Sequence, residues 1–297
     1  MGIDYGYLNK RAKPGDEDEG EEGIGGVKAS PLLCGRDTLG WIFCHCLRSK
    51  GTGDEHSSKM LTTELVASGE AKIIVKSHGE RPILKLVQVR AAAARISHGT
   101  TVMTEQTPKG ESKANGLAEG AVRDCKAKVR TIKYATEKFL GVVIDHDHWS
   151  LPFLCTYAGA TMVRGRRGPD GKTPYERRFG KKWRAAMVGF GEHVLWLPSG
   201  KRDSRLESGY RSGIYLGLDD VTGQHIVGTK DGGGLARSLR RVVPELQRNV
   251  EMFNEVRGAP WEAEPREGAE ADKGTCRLSN RQWSRSKGIS SFGATWS

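Results

Sequence analysis

The chain has 297 residues, 37% of them hydrophobic, which is material for one large or two small cored domains. Its 47 Lys and Arg outnumber 36 Asp and Glu, and the resulting formal charge of +11 points to a polyanionic partner, nucleic acid first. No run approaches the ~18 apolar residues of a membrane span. No apolar stretch of a secretory signal opens the chain, and six irregularly spaced cysteines fit a reducing, intracellular setting without a disulfide framework.

In chain order, Ile3-Asp4-Tyr5 reads as strand, but only three residues precede Asp4, so that strand is expected to be incomplete. Residues 14–26 form an acidic, Gly-rich loop. The segment from Pro31 to Leu47 predicts two strands about a turn near Asp37–Gly40. A helix follows over 54–68, a buried β-branched strand over 71–75, a helix over 80–95 and a short strand over 100–104. Such alternation is the grammar of an α/β sheet domain. The longest helical pattern runs from Asn115, a good N-cap, to Leu140, with Gly141 as its stop. Its apolar stripe is Val122, Cys125, Val129, Ile132 and Phe139. Another helix is expected over 149–163. Beyond Lys182, short apolar runs between Gly, Pro and Asp clusters predict a small antiparallel β-barrel, with Gly232-Gly233-Gly234 as a hairpin turn.

On the long helix, Glu119, Arg123, Lys126, Arg130 and Lys133 are spaced 4, 3, 4 and 3 apart and share one face. A solvated face would mix both signs, whereas this nearly pure cationic ladder suits a helix that tracks phosphates, headed by a carboxylate available to a metal. The stretch from Arg164 to Arg184 is strongly basic, with Tyr175, Phe179 and Trp183 interleaved, and includes Arg177, Arg178, Lys181 and Lys182 as candidate phosphate contacts. In Cys44-His45-Cys46 the two cysteines share one strand face while His45 points away, and no second pair stands at zinc spacing, so these residues read as core. His146 and His148 read as surface residues.

Asn115-Gly116-Leu117-Ala118-Glu119 resembles the NGxxE motif of copia-type retrotransposon integrases. Thr173-Pro174-Tyr175-Glu176 with Phe179-Gly180-Lys181-Lys182 is similar to that family's TPYE-x-x-FGKK segment, and Gly213-Ile214-Tyr215-Leu216-Gly217 to its barrel landmark. The resemblance covers roughly residues 3 to 250. It implies a ribonuclease-H-like mixed sheet with flanking helices, followed by the small barrel, and DNA integration by metal-dependent polynucleotidyl transfer. Two Mg²⁺ (or Mn²⁺) ions would be held by Asp, Asp and Glu. Asp4 matches the first Asp and Glu119 the Glu. The second Asp should stand in a K-S-D-G-E segment, where this chain reads Lys76-Ser77-His78-Gly79-Glu80. An imidazole at His78 removes a negative charge from the site, so metal binding and catalysis are expected to be impaired.

The expected organisation is a core over 1–165, a basic linker over 166–185, a barrel over 186–250 and a disordered tail over 251–297, together a piece of a longer polyprotein. DNA is the expected partner, with a homo-oligomer implied by the resemblance, no membrane partner and a nuclear location. The alternatives are a non-catalytic DNA-binding derivative of an integrase and an unselected relic.

Overall fold

A computed structural model of the chain describes residues 1–8, 30–53, 55–77, 79–106, 115–198, 209–219 and 222–260, without the side chains of Ser57 and Arg237. The acidic loop over 14–26, His78 and the stretch over 261–297 lie outside the described residues. Among the described residues there are two sheets and six α-helices, and the fold is mixed α/β.

The first sheet contains β1 (Gly2–Tyr7), β2 (Pro31–Arg36), β3 (Ile42–Cys46), β4 (Lys72–Ser77) and β5 (Thr101–Gln106) in the order β3-β2-β1-β4-β5. β1, β2 and β3 are antiparallel neighbours, while β4 runs parallel to β1 and β5 parallel to β4. Contrary to the sequence expectation, β1 is a full strand, because it continues past Asp4 to Tyr7. α1 (Glu55–Ala67) and α2 (Arg81–His98) supply Leu61, Leu65, Ile83, Leu86 and Val87 to one face of the sheet, against Ile3, Tyr5, Leu33, Phe43, Ile73 and Val75. The alternate residues Leu32, Cys34, Ile42 and Cys44 face the other way, toward α3 (Gly116–Leu140) and α4 (Leu151–Gly165). β4 was expected to be buried; it is covered on one face only, with Ile74 exposed on the other.

α4 is apolar nearly all round, as a helix buried on every side must be. One side lies on β3, where a side chain at Gly159 would come within 3.2 Å of the Cys44 backbone nitrogen. The other side meets a closed antiparallel barrel of β6 (His193–Pro198), β7 (Arg211–Leu218), β8 (His225–Thr229) and β9 (Gly232–Arg241). Tyr157 of α4 stacks edge-on against Tyr215 of β7 and donates its hydroxyl to the Val188 carbonyl at 2.7 Å. Sheet, α4 and barrel therefore share one continuous core. Gly232–Gly234 are not the hairpin turn but the first residues of β9, and Trp196 occupies the space above Gly234, where a Cβ would meet its ring at 2.6 Å. The turn falls at Lys230-Asp231 instead.

The basic stretch is built structure rather than linker. It holds α5 (Pro174–Phe179), closed at its start by a capping box between Thr173 and Glu176 and at its end by Gly180 with φ 67°. Arg178 is buried, donating to Asp37 at 2.5 Å, with its guanidinium 3.8 Å from the centre of the Trp41 ring. Nor does a tail begin at 251. α6 (Val250–Glu255), capped by Asn249, buries Phe253 completely against His148 and Trp149. His148 is consequently half-buried, not a surface residue.

Two predictions follow from these contacts. Arg178→Ala removes the arginine partner of the part-buried Asp37, so the folded state should lose about 1–3 kcal/mol; a denaturant midpoint close to that of the parent chain would show that the pair carries little. The second concerns His148, whose Nδ1 accepts from the Ser150 amide, a role that needs the neutral ring. Burial lowers its pKa below the ordinary 6.5, against the opposing pull of Asp145 and Asp147, and burial lowers His225 likewise. A histidine depressed in the folded state takes its proton first in the unfolded chain. Stability should therefore be full above about pH 6.5, decline as the pH falls below it and level off past the folded-state value. Chemical denaturation at stepped pH measures this, and His148→Gln should flatten part of the decline.

Candidate functional site

Ile3 and Tyr5 point toward α1 and α2, so Asp4 between them faces α3. Two glycines on the same side of β1 let that helix lie directly on the strand. A Cβ at Gly2 would stand 3.0 Å from the Ala118 nitrogen, and one at Gly6 2.7 Å from Val122 Cγ1. This close approach brings the start of α3 to Asp4. Asn115, fully buried, donates from Nδ2 to Asp4 Oδ2 at 3.4 Å, while the Tyr5 amide donates to Oδ1 at 2.8 Å. Asn115 does not cap the helix with its side chain; it is spent on Asp4. Its Oδ1 is buried and has no hydrogen-bond partner among the described residues. Glu119 stands one helical turn further along α3 and is exposed.

β4 pairs with β1 through Gly2↔Lys76 and Ile3↔Ser77, so β4 ends beside Asp4. His78, the next residue, lies outside the described residues.

The cationic ladder divides into three parts. Arg123 and Arg130 are exposed and form no ion pair among the described residues. Lys126 turns inward over β1, its Nζ 3.6 Å from where a Gly6 Cβ would be. Burial lowers its pKa, and Asp4 is one of the anionic groups that oppose this. Lys133 is held by Glu137 at 2.6 Å, which also accepts the Ile144 amide at 2.9 Å. The predicted stripe faces the core through Cys125 and Val129, with Val122 and Ile132 partly buried against it, while Phe139 is exposed; Ala118, Ala121, Thr136 and Leu140 complete the buried face.

Asp124 was not among the predicted residues, yet it joins three elements. Arg36 of β2 reaches it at 2.5 Å, and Arg166, just beyond α4, bonds the same oxygen. Burial raises the pKa of Asp124, but the hydrogen bonds from Arg166 and Arg36 outweigh it and hold the carboxyl below its ordinary value. An i,i+1 neighbour of the ladder on a helix gives no hint of this role; the partners are remote in sequence.

Of the second basic group, Arg177 is committed to Asp170 through Nε at 2.9 Å and Nη2 at 2.6 Å, and to the Leu39 carbonyl at 2.9 Å. Arg178 is committed to Asp37 and Trp41, as described. These two are corrected from phosphate contacts to structural pins, because each finds an acidic partner from the folded core or the preceding turn. Lys181 and Lys182 are exposed and, with Tyr175, Trp183 and Arg184, border a surface cavity of about 590 Å³. A second cavity of about 510 Å³ lies along α3 and α4 by Asp124, Lys128 and Arg166.

If the close fit of α3 on β1 places the Asp4 neighbourhood, Gly6→Ala should cost about 1–3 kcal/mol through overpacking against Val122. Gly116→Ala, with open space at its Cβ, should be neutral or stabilising by about 0.4–1 kcal/mol. Equal denaturation midpoints for the two variants would rule out this account of the helix position.

No family model matches the chain, and no curated protein sequence matches it.

Proposed function

We propose that the protein is a DNA-binding protein of the integrase type, with a ribonuclease-H-like core whose polynucleotidyl transfer is impaired. The observation that carries the reading is the joint placement of Asp4 at mid-β1 and Glu119 in the first turn of α3, in a sheet ordered β3-β2-β1-β4-β5. The net charge of +11 supports a nucleic-acid partner, and such a partner implies a nuclear site of action. Among the described residues no helix is long and apolar enough to cross a membrane.

The donor set suits one hard divalent cation. Asp4 and Glu119 offer carboxylate oxygens, and the unpartnered Asn115 Oδ1 adds a neutral one. Such an ion, when bound, supplies Lewis-acid polarisation of a phosphoryl oxygen. The chain's own residues orient the site: Asn115 and the Tyr5 amide fix the Asp4 carboxylate, and Arg123 and Arg130 offer phosphate contacts along the outer side of α3. His78 brings no negative charge to the position where a third carboxylate is expected, which supports impairment. The inward Lys126 favours a second reading, a DNA-binding protein without catalysis, because its ammonium already offsets the charge of Asp4.

DNA binding is tested by anisotropy on labelled duplex over a series of salt concentrations. Changing Arg123, Arg130, Lys181 and Lys182 together to Gln should weaken binding to any sequence and lower the salt slope by up to about 0.9 per lost contact. An unchanged slope would return these cations to a solvated surface. Catalysis is tested by Mg²⁺-dependent strand transfer of a labelled DNA end. The chain as it stands should give none, and His78→Asp should gain activity that Asp4→Asn removes again. Strong transfer by the unaltered chain would show that another residue supplies the missing carboxylate; failure of His78→Asp to gain any, with DNA binding intact, would favour the non-catalytic reading.

A further inference from the structure

The five described cysteines are all buried with free thiols, and three of them converge from separate elements. Cys34 of β2 and Cys44 of β3 are direct cross-strand partners with their sulfurs 3.9 Å apart. Cys125 comes down onto them from α3, and the three sulfurs lie within 4.8 Å of one another. Cys155 of α4 reaches Cys44 as a further thiol neighbour.

Packing alone asks only for small apolar groups here, and three features go beyond it. The first is spacing. At a metal–sulfur distance of about 2.3 Å, three thiolates around one ion sit about 4.0 Å apart in a plane, or about 3.8 Å apart in a tetrahedral site. One edge of the trio is already that length, and the longest needs to close by less than about 1 Å. The second is charge. Hydrogen bonds from Cys34 and Cys44 lower the pKa of Cys125 to about 5 despite its burial, and Arg36 acts in the same sense while its partner Asp124 opposes. Lys126 and Cys34 also interact favourably, so cationic side chains border the thiols in an otherwise apolar core. The third is donor type. The trio contains no carboxylate or imidazole, a set that selects soft ions and rejects Mg²⁺ or Ca²⁺.

We propose that Cys34, Cys44 and Cys125, with Cys155 available as a fourth donor, form a buried structural site for a thiophilic d¹⁰ ion, Zn²⁺ or Cu⁺. Each ligand enters as thiolate and releases its proton to solvent on binding, so loading strengthens as pH rises. The ion would tie α3 to β2 and β3. Because Asp4 pairs directly with Cys34 across β1 and β2, this clamp sits one strand away from the carboxylate neighbourhood without sharing a ligand with it. The assignment does not depend on the proposed DNA chemistry.

The test uses the full chain, unfolded and refolded under reductant with Zn²⁺, with Cu⁺, with Cd²⁺ as a spectroscopic probe, or with no metal. Retention of about one ion per chain after passage over a chelator, a raised melting temperature and a cadmium–thiolate charge-transfer band are expected. The Zn²⁺ and Cu⁺ arms, set in competition, decide which ion is preferred. Cys125→Ala should lose retention and the band, while Cys46→Ala should keep both. X-ray absorption of the unaltered zinc-loaded chain should count three or four sulfur neighbours at about 2.3 Å, a readout that stands even where a cysteine variant does not fold. Nitrogen or oxygen coordination, retention undisturbed by Cys125→Ala, or identical melting with no metal retained in any arm would overturn the proposal.

Discussion

The sheet and the barrel are joined through α4, a helix buried along nearly its whole length. A helix apolar all round cannot end a domain; it must be covered on every flank. β3 and α3 cover one flank, and the barrel covers the other through Tyr157, Phe190 and Tyr215. That demand fuses what composition suggests to be separable pieces. α6 completes the seal, since Phe253 fills the remaining gap beside His148 and Trp149. A core continuous from sheet to barrel leaves little room for a hinge between them.

The same packing sets the electrostatics of α3. Its inner face, narrowed to Ala118, Ala121 and Cys125, descends onto the glycines of β1, and its N-terminus arrives at Asp4. One rung of the cationic ladder, Lys126, is carried inward by this approach, and another, Lys133, is neutralised by Glu137. What remains for a polyanion is Arg123 and Arg130 on the outer side. A helix that looks uniformly cationic along its sequence thus has an inside charge that balances a carboxylate and an outside charge available to a partner.

Several residues that look chemically expressive serve the architecture. Arg178, Arg177 and Arg166 are each tied to an aspartate, and the guanidinium suits this work because its planar fork donates several hydrogen bonds at once and stacks on Trp41. The cysteines show the opposite case. Read along β3, Cys44 and Cys46 are two small core residues; in the folded chain Cys44 belongs to a group of thiols drawn from two strands and a helix.

What the sequence by itself determined was local. Sequence pattern placed the four longer helices and three of the four barrel strands, and Gly141 stopped α3 at its predicted end, whereas α5, α6 and the course of β9 were not foreseen. These signals act within a few residues, through backbone hydrogen bonds, caps and side-chain spacing. The tertiary structure alone decided which charges are spent and which thiols meet. Arg178 finds Asp37 across 141 residues, Arg36 finds Asp124 across 88, and Asn115 finds Asp4 across 111. No periodicity encodes such pairs. Removing such partners from water costs free energy that their mutual hydrogen bonds offset, and only the packed chain fixes which groups share that burial.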